Sequence, residues 1–268
     1  MKNRPLPAMK KCPPPPNKKP SAIQPTTPPA KLTVVNILVT AGPTREPIDP
    51  VRFLSNRSSG KMGYELAAAF AHAGHTVLLV SGPTALDVPE RVDFLPVETA
   101  AEMHAAVARH LGRMDIAVFA AAVADYTPAM TAPEKIKTSA DSLTLELLGT
   151  ADILGSARGP LGFTGTLVGF AAETENLAAN AREKLTRKRC DLVIANDVSK
   201  PGSGFDADHN EVLLVYPNHT DALPPATKHH LAHHLVATIL ELHAGRLTKN
   251  PSDPSDPTDP TDMTDLLA

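Results

Sequence analysis

The chemistry in this 268-residue chain gathers in one stretch and a few separated polar residues. The stretch is Ser55-Asn56-Arg57-Ser58-Ser59-Gly60-Lys61-Met62-Gly63. Asn56 is an uncharged amide able to donate to a carboxylate or an oxyanion. Ser58, Ser59, Gly60 and Gly63 suit a phosphate at a helix N-terminus, where free N–H groups and the helix dipole favour negative charge. A lone Ser-Ser-Gly is otherwise a solvated loop with an ordinary serine cap. Asp125, after an apolar run, can accept from a base or sugar, hold Mg²⁺, or cap a helix. Lys135, Lys184 and Lys188 can pair with a polyphosphate, and the last two, at i and i+4, share one helix face. Singly, each lysine is ordinary solubilising surface. Together these residues suggest a nucleoside triphosphate facing a second anionic substrate, which suits activation of a carboxylate by nucleotidyl transfer.

Several familiar chemistries lack their signatures. The loop after the first apolar run reads Ala41-Gly42-Pro43-Thr44-Arg45-Glu46-Pro47, with proline where a dinucleotide fold needs glycine. No G-x-S-x-G elbow is present, and Cys12 and Cys190 carry neither a nucleophile signature nor a disulfide framework. His229, His230, His233, His234 and His243 fall on one helical segment. Their i, i+4 pairs invite a metal, but no glutamate stands where a zincin base belongs, so a solvated polar face is the stronger reading.

Alternating strands and helices must position these groups. Strands are expected at Val34–Thr40, His75–Ser81, Val92–Val97, Asp115–Val123, Leu167–Ala172 and Asp191–Asn196. Helices are expected at Glu65–Ala73, Ala100–Leu111 with Thr99 as cap, Ala151–Arg158, Asn176–Lys188 and Ala226–Ala244. The pattern gives an α/β fold: a Rossmann-like, doubly wound, mostly parallel sheet that binds ligands beyond the carboxyl ends of its strands. Period-two alternation in Lys135-Ile136-Lys137 and Leu143–Leu147 predicts a β-hairpin arm around Ala140-Asp141-Ser142. Val212–Tyr216 predicts an antiparallel edge.

Composition narrows the partners. A net charge of −3, 4% aromatic residues and no tryptophan argue against nucleic acid. No apolar run approaches a membrane span, and the cytoplasm is the simplest location. Residues 1–33 are basic and proline-rich, whereas 246–268 repeat Ser/Thr-Asp-Pro. Both are expected to be disordered tails flanking one domain at 34–245.

Seven ordered blocks then carry a resemblance: Val39–Pro47, Asp49–Arg52, Ser55–Gly63, Ala121–Tyr126, Pro133–Lys137, Gly169–Thr174 and Ala195–Val198. From about residue 34 to about residue 243 the chain resembles bacterial phosphopantothenate–cysteine ligase. The resemblance implies joining of 4′-phosphopantothenate to L-cysteine in coenzyme A biosynthesis. The carboxylate attacks the α-phosphorus of CTP, giving an acyl-cytidylate and pyrophosphate; the cysteine amine then displaces CMP. It further implies Mg²⁺, no flavin, and a homodimer reached by the hairpin arm.

By the same resemblance, Asn56 and Lys135 are catalytic. Nucleotide contacts fall on Phe119, Ala120, Ala121, Asp125, Lys135, Ala151, Asp152, Ile153, Leu154, Phe170, Lys184 and Lys188. Phosphopantothenate contacts fall on Gly42, Ser58, Gly60, Gly63 and Asn196. The metal ligands are not assigned. Two departures touch the nucleotide side: Thr138 stands where the family continues Lys-Ile-Lys-Lys, and Thr150-Ala151-Asp152-Ile153 replaces Asn-Pro-Asp-Ile. They bear on CTP against ATP. The segment before the first strand is too short for a fused flavin decarboxylase, so a stand-alone ligase with a separate decarboxylase is expected. The rival readings are an NAD(P) oxidoreductase on the same fold and a non-catalytic nucleotide-binding partner.

Overall fold

Strand β1 (Asn36–Ala41) sits at the centre of the molecule because its five residues after Asn36 are all buried, as a strand covered on both faces requires. A computed structural model of the chain describes residues 34–138, 142–197 and 209–248. After β1 come a short ribbon of β2 (Arg45–Pro47) and β3 (Phe53–Ser55), helix α1 (Lys61–His72), β4 (Thr76–Ser81) and β5 (Asp93–Pro96). Helix α2 (Ala100–His110), β6 (Ile116–Phe119), β7 (Tyr126–Pro128), β8 (Leu147–Gly149), α3 (Ile153–Arg158), β9 (Thr166–Glu173), α4 (Leu177–Lys188) and β10 (Leu192–Asp197) follow. The chain closes with β11 (His209–Val215), β12 (Thr220–Thr227) and α5 (Lys228–Thr248).

Among the described residues one eight-stranded sheet runs in the order β12-β11-β10-β9-β6-β1-β4-β5. The six strands from β10 to β5 are parallel, and β11 and β12 are antiparallel. The strand order reverses between β1 and β6, which places a crevice at the carboxyl end of that pair. Alternate residues build two cores. Ile37, Val39 and Val118 face α1 and α5, where they meet Leu66, Phe70, Leu235 and Ile239. Leu38, Ala117 and Phe119 face α2, α3 and α4, where they meet Met103, Leu154 and Leu185. Prolines stand in both outer strands, Pro96 at the end of β5 and Pro224-Pro225 inside β12, and so discourage pairing with another chain.

The expected elements are present with four differences. β6 stops at Phe119 as a regular strand, and Ala120 to Ala122 carry the pairing on only as separate bonds to Thr40 and Gly42 and one isolated bridge, Ala122 with Pro43. The paired strands of the arm are β7 and β8, not 135–137 and 143–147; the ribbon continues to Ala129, whose N–H donates to Glu146 O at 2.9 Å. Residues 246–248, expected in the C-terminal tail, are the end of α5, and the residues 139–141 and the remaining tail residues 1–33 and 249–268 lie outside the described residues. β2, β3 and β12 carry too few alternating apolar residues to be read from pattern.

His243 also departs from the solvated face expected of the α5 histidines. It is buried and bonded through Nδ1 to Thr166 Oγ1 at 2.9 Å. His229 does stay at the surface, beside Glu65 at 3.0 Å. Among the described residues no three His, Cys, Asp or Glu side chains gather as a metal site. No described helix is long and apolar enough to cross a membrane.

His75 lies near His243, buried, with Nδ1 accepting from Val35 N–H at 3.4 Å and Nε2 bonded to nothing among the described residues. Burial lowers the pKa of His75, and the neighbouring His243 lowers it further. Burial also lowers His243, against the opposing pull of Asp115. Both imidazoles therefore stay neutral in the fold at a pH where the unfolded chain already takes up protons. Stability is full above the ordinary histidine pKa of about 6.5 and falls as pH drops through it, levelling off below the folded-state values. Heat-unfolding midpoints measured from about pH 7.5 to about pH 5 should decline across that window, and His75→Leu should flatten the decline. A midpoint that rises on acidification would contradict the assignment.

Candidate active site

Beyond the carboxyl ends of β1, β6, β9 and β10 lies a cleft of about 810 Å³. Its floor is the rim loop after β6, and that loop is tied to the loop after β1 atom by atom. Ala120 N–H donates to Thr40 O at 3.2 Å, Ala121 N–H to Thr40 Oγ1 at 3.3 Å, and Ala122 N–H to Gly42 O at 2.9 Å. Thr44, fully buried, accepts Ala124 N–H on Oγ1 at 2.9 Å. Thr150 Oγ1 then donates to Ala124 O at 2.6 Å.

Asn56 completes this rim. Its Nδ2 donates to Ala122 O at 2.9 Å and to Val123 O at 3.1 Å. Both amide hydrogens are thereby used, so Asn56 offers Oδ1, an acceptor. The sequence suggested a donor to a carboxylate or oxyanion; the folded rim takes the donors for itself.

The N-terminus of α1 opens into the cleft through Ser58, Gly60 and Gly63. No side chain caps α1, and Gly60 holds the cap position with φ +78°, a conformation open to glycine. A Cβ on Gly63 would stand 2.5 Å from Ala41 Cβ, so only glycine lets α1 begin this close to β1. Gly42 packs behind Gly60, whose Cβ would come within 3.2 Å of Gly42 Cα.

On the opposite face of the sheet, α3 and α4 bring their polar groups to the same cleft. Asp152 Oδ1 caps α3 by accepting Gly155 N–H at 2.9 Å, and its other oxygen pairs with Lys188 Nζ. Burial would raise the Asp152 pKa, but Lys188 and the Gly155 N–H outweigh it and hold the carboxyl low. Lys184 Nζ donates to Phe170 O at 2.6 Å; burial lowers its pKa, opposed by Cys190 and Glu173. The two lysines are pre-set at the wall by protein acceptors, and an incoming polyphosphate would draw on the same ammonium groups. Burial pushes the Cys190 thiol up to about 12, which excludes it as a nucleophile near neutrality.

The structure therefore gathers Ser58, Gly60, Gly63, Phe119 to Ala121, Asp125, Ala151 to Leu154, Phe170, Lys184, Lys188 and Asn196 around one cleft. It leaves three of the expected residues off the lining. Gly42 is behind the wall, Asn56 is at the rim, and Lys135 is exposed on the arm. Sequence reasoning missed three buried polar residues of the lining, Thr40, Asn210 and Lys228. It also gave no role to Asp49, although the Asp-Pro-Val-Arg spacing carried the signal.

Asp49 is the root of the arm. It is buried, and Oδ1 accepts Val51 N–H and Arg52 N–H, each at 2.9 Å. Oδ2 accepts Arg52 Nε at 2.9 Å, Arg52 Nη2, and Ile136 N–H at 3.1 Å. Arg52 Nη2 donates in turn to Ile136 O at 2.8 Å. The Arg52 guanidinium, with the backbone N–H groups, holds the Asp49 carboxyl far below the usual carboxylate range. The backbone beside Lys135 is thus clamped at Ile136 while Lys135 stays free to reach.

Over residues 32–242 the chain matches the family described as DNA/pantothenate metabolism flavoprotein C-terminal domain. It is 46% identical over 212 residues to the coenzyme A biosynthesis bifunctional protein CoaBC of Escherichia coli K12, covering 78% of this chain and 52% of that one. It is 46% identical over 201 residues to the CoaBC of Bacillus subtilis, covering 74% and 49%. The chain thus spans about half the length of these curated relatives. A crystal structure of the C-terminal domain of a bifunctional CoaBC is 38% identical with a TM-score of 0.67, covering 79% of this chain and 96% of the other.

Asp49→Asn should loosen the clamp without unfolding the sheet. Trypsin cleavage at Lys135 and Lys137 is expected to accelerate about tenfold, the scale of one lost charge-assisted bond, with the circular dichroism unchanged. Unchanged cleavage would show that other contacts hold the arm.

Proposed function

Because the chain belongs to the DNA/pantothenate metabolism flavoprotein C-terminal domain family, we propose that it ligates 4′-phosphopantothenate to L-cysteine, consuming CTP. One observation carries the reading: a single cleft offers an uncapped helix N-terminus on one side of the sheet and paired lysines on the other. Such a cleft suits two anionic substrates that must meet. The relatives' place in coenzyme A biosynthesis supplies the substrate class.

In the first step the substrate carboxylate attacks the α-phosphorus of CTP, and pyrophosphate leaves. Lys184 and Lys188 bind the triphosphate, and Lys135, brought in by the arm, neutralises charge developing on the phosphoryl oxygens. Phe119 to Ala121 present backbone to the base. Asp125 accepts from the nucleotide or, with the nucleotide's own phosphates, holds Mg²⁺; a nucleotide-bound magnesium needs only one or two carboxylates. Magnesium, when bound, offsets the negative charge of the triphosphate.

In the second step the cysteine amine attacks the acyl carbon and CMP departs. Asn56 Oδ1 accepts an N–H of that amine and aims its lone pair at the carbonyl. Gly42, Ser58, Gly60, Gly63 and Asn196 serve the phosphopantothenate. No electrons are exchanged, so flavin has no part in this reading. A decarboxylase acting on the product is the partner activity, and we place the reaction in the cytoplasm.

A homodimer is the assembly that the surface supports. Val51, Phe53, Tyr126, Met130 and Leu148, on or beside the two ribbons, are 60%, 46%, 58%, 85% and 52% exposed, an apolar band of the kind that marks an interface. Phe53→Asp should shift sedimentation from dimer to monomer. A monomeric wild-type protein at micromolar concentration would reject the dimer.

Pyrophosphate release with 4′-phosphopantothenate, cysteine and Mg²⁺ tests the reaction. CTP should support it at least about tenfold better than ATP, with CMP as the second product. Preference for ATP would show that Thr138 and Ala151 redirect the nucleotide site. Lys135→Gln should slow pyrophosphate release by about 10²-fold or more, whereas Asn56→Ala should still release pyrophosphate but accumulate acyl-cytidylate. No release with either nucleotide would overturn the ligase.

A further inference from the structure

The cleft's wall between α1 and α5 holds two buried polar residues with no role in the account above, Asn210 and Lys228. Topology puts them there. β11 runs antiparallel to β10, so it starts at the rim where β10 ends; β12 returns to that rim, and α5 begins at once with Lys228. Helices α1 and α5 pack on the same sheet face through Leu66, Phe70, Leu235 and Ile239. Their N-termini therefore open side by side onto the cleft, away from the lysines of α4.

Lys228 is only 6% exposed and Asn210 only 4%, yet both line the cleft. An ammonium buried to that degree is retained for its charge, because solubility would be served better at the surface. Next to them, Asn196 has its Oδ1 buried and bonded to nothing among the described residues. Thr227 Oγ1 accepts His230 N–H at 3.2 Å and so caps α5, which leaves Lys228 as that helix's contribution. Across the gap, α1 supplies N–H groups that no side chain caps.

We propose that Lys228 and Asn210 bind the phosphate of the acid substrate at the end of the cleft between α1 and α5. The proposal rests on the ligase reading above. Lys228 Nζ gives a charge-assisted bond to a phosphate oxygen, the Asn210 amide gives a second, and the α1 N–H groups take the opposite side. Asn196 Oδ1 needs a donor, so it takes a hydroxyl or amide N–H of the pantothenate chain rather than the phosphate. The triphosphate belongs at the other end, on Lys184 and Lys188, so each anion has its own cation and the acid's carboxylate meets the α-phosphorus at the rim. Lys228 thereby sets the preference for a phosphorylated acid over the free one.

The test compares 4′-phosphopantothenate with pantothenate as substrate and, by calorimetry, as ligand. Lys228→Gln should raise the KM and Kd for the phosphorylated acid about 10- to 100-fold, the scale of one charge-assisted bond. KM for CTP and cysteine and the weak handling of pantothenate should change less than about twofold, with partial rescue by Lys228→Arg. Equal losses for both acids, or an unchanged preference, would overturn the assignment. Should Lys228→Gln not fold, Asn210→Ala carries the same comparison. In the wild-type protein 4′-phosphopantothenate, and not pantothenate, should protect Lys228 from slow acylation; no such difference would also overturn it. If wild type binds the phosphorylated acid through Lys228 but releases no pyrophosphate, the ligase reading fails and the phosphate site stands.

Discussion

Everything at the site depends on the loop after β6 being laced to the loop after β1. A parallel ladder normally ends where its strands diverge. Here it continues as hydrogen bonds from Ala120, Ala121 and Ala122 to Thr40 and Gly42, so the rim is as fixed as the sheet beneath it. Buried backbone groups need partners, and the accounting at this rim is almost complete. Ala122 O accepts Thr44 N–H as well as Asn56, and the carbonyls of Val123 and Ala124 are taken by Asn56 and Thr150. That bookkeeping limits the chemistry of Asn56: an amide whose hydrogens hold the rim has only its oxygen left to offer.

From this rim the cleft inherits a two-sided character. A doubly wound sheet has helices on both faces, and each face brings a different kind of electrostatics to the strand ends. The α1 side offers backbone N–H groups and glycines that allow close approach, suited to a compact phosphate. The α4 side offers flexible ammonium groups held by Phe170 O and Asp152, suited to a longer polyphosphate whose position must adjust during transfer. Under the proposed ligation, two anions placed on opposite faces would not repel each other until the reacting ends cross the rim.

Much of this was legible in the sequence because it follows from periodicity. The buried β-branched run of β1, the Thr99–Glu102 capping box of α2 and the i, i+4 lysines of α4 each state their own role locally. The doubly wound fold follows from their alternation. Other features arise only from long-range pairing. Lys228 looks like the first polar residue of a histidine-rich surface helix until β11 and β12 carry it back to the cleft. His243 shares that helix's polar spelling, yet its turn faces the start of β9 at Thr166. Asn56 is chemically a donor in isolation, and only the rim's carbonyls show which end is spent. The arm misled for a related reason: alternation in 135–137 and 143–147 fits a hairpin, but the pairing that forms is the one continuous with the β6 loop, through Tyr126–Pro128.

The placement of Lys135 follows from the same economy of anchoring. Under the proposed reaction, a lysine inside the cleft would hold a charge beside two arriving anions and would have to lose its solvation before either bound. A lysine on an arm can keep its water until the substrates are in place. Such an arm must still return to one position, and clamping the lysine itself would block its reach. The structure resolves this by fixing the neighbouring residue: Asp49 and Arg52 grip both backbone groups of Ile136 and leave Lys135 exposed. Because the Asp49 carboxyl is held far below the usual range, the clamp does not loosen over the mildly acidic range where the histidine pair weakens the core. The reach of Lys135 is therefore set by its own four-carbon stem from a fixed root, which is the geometry a transient contact with a phosphoryl group requires.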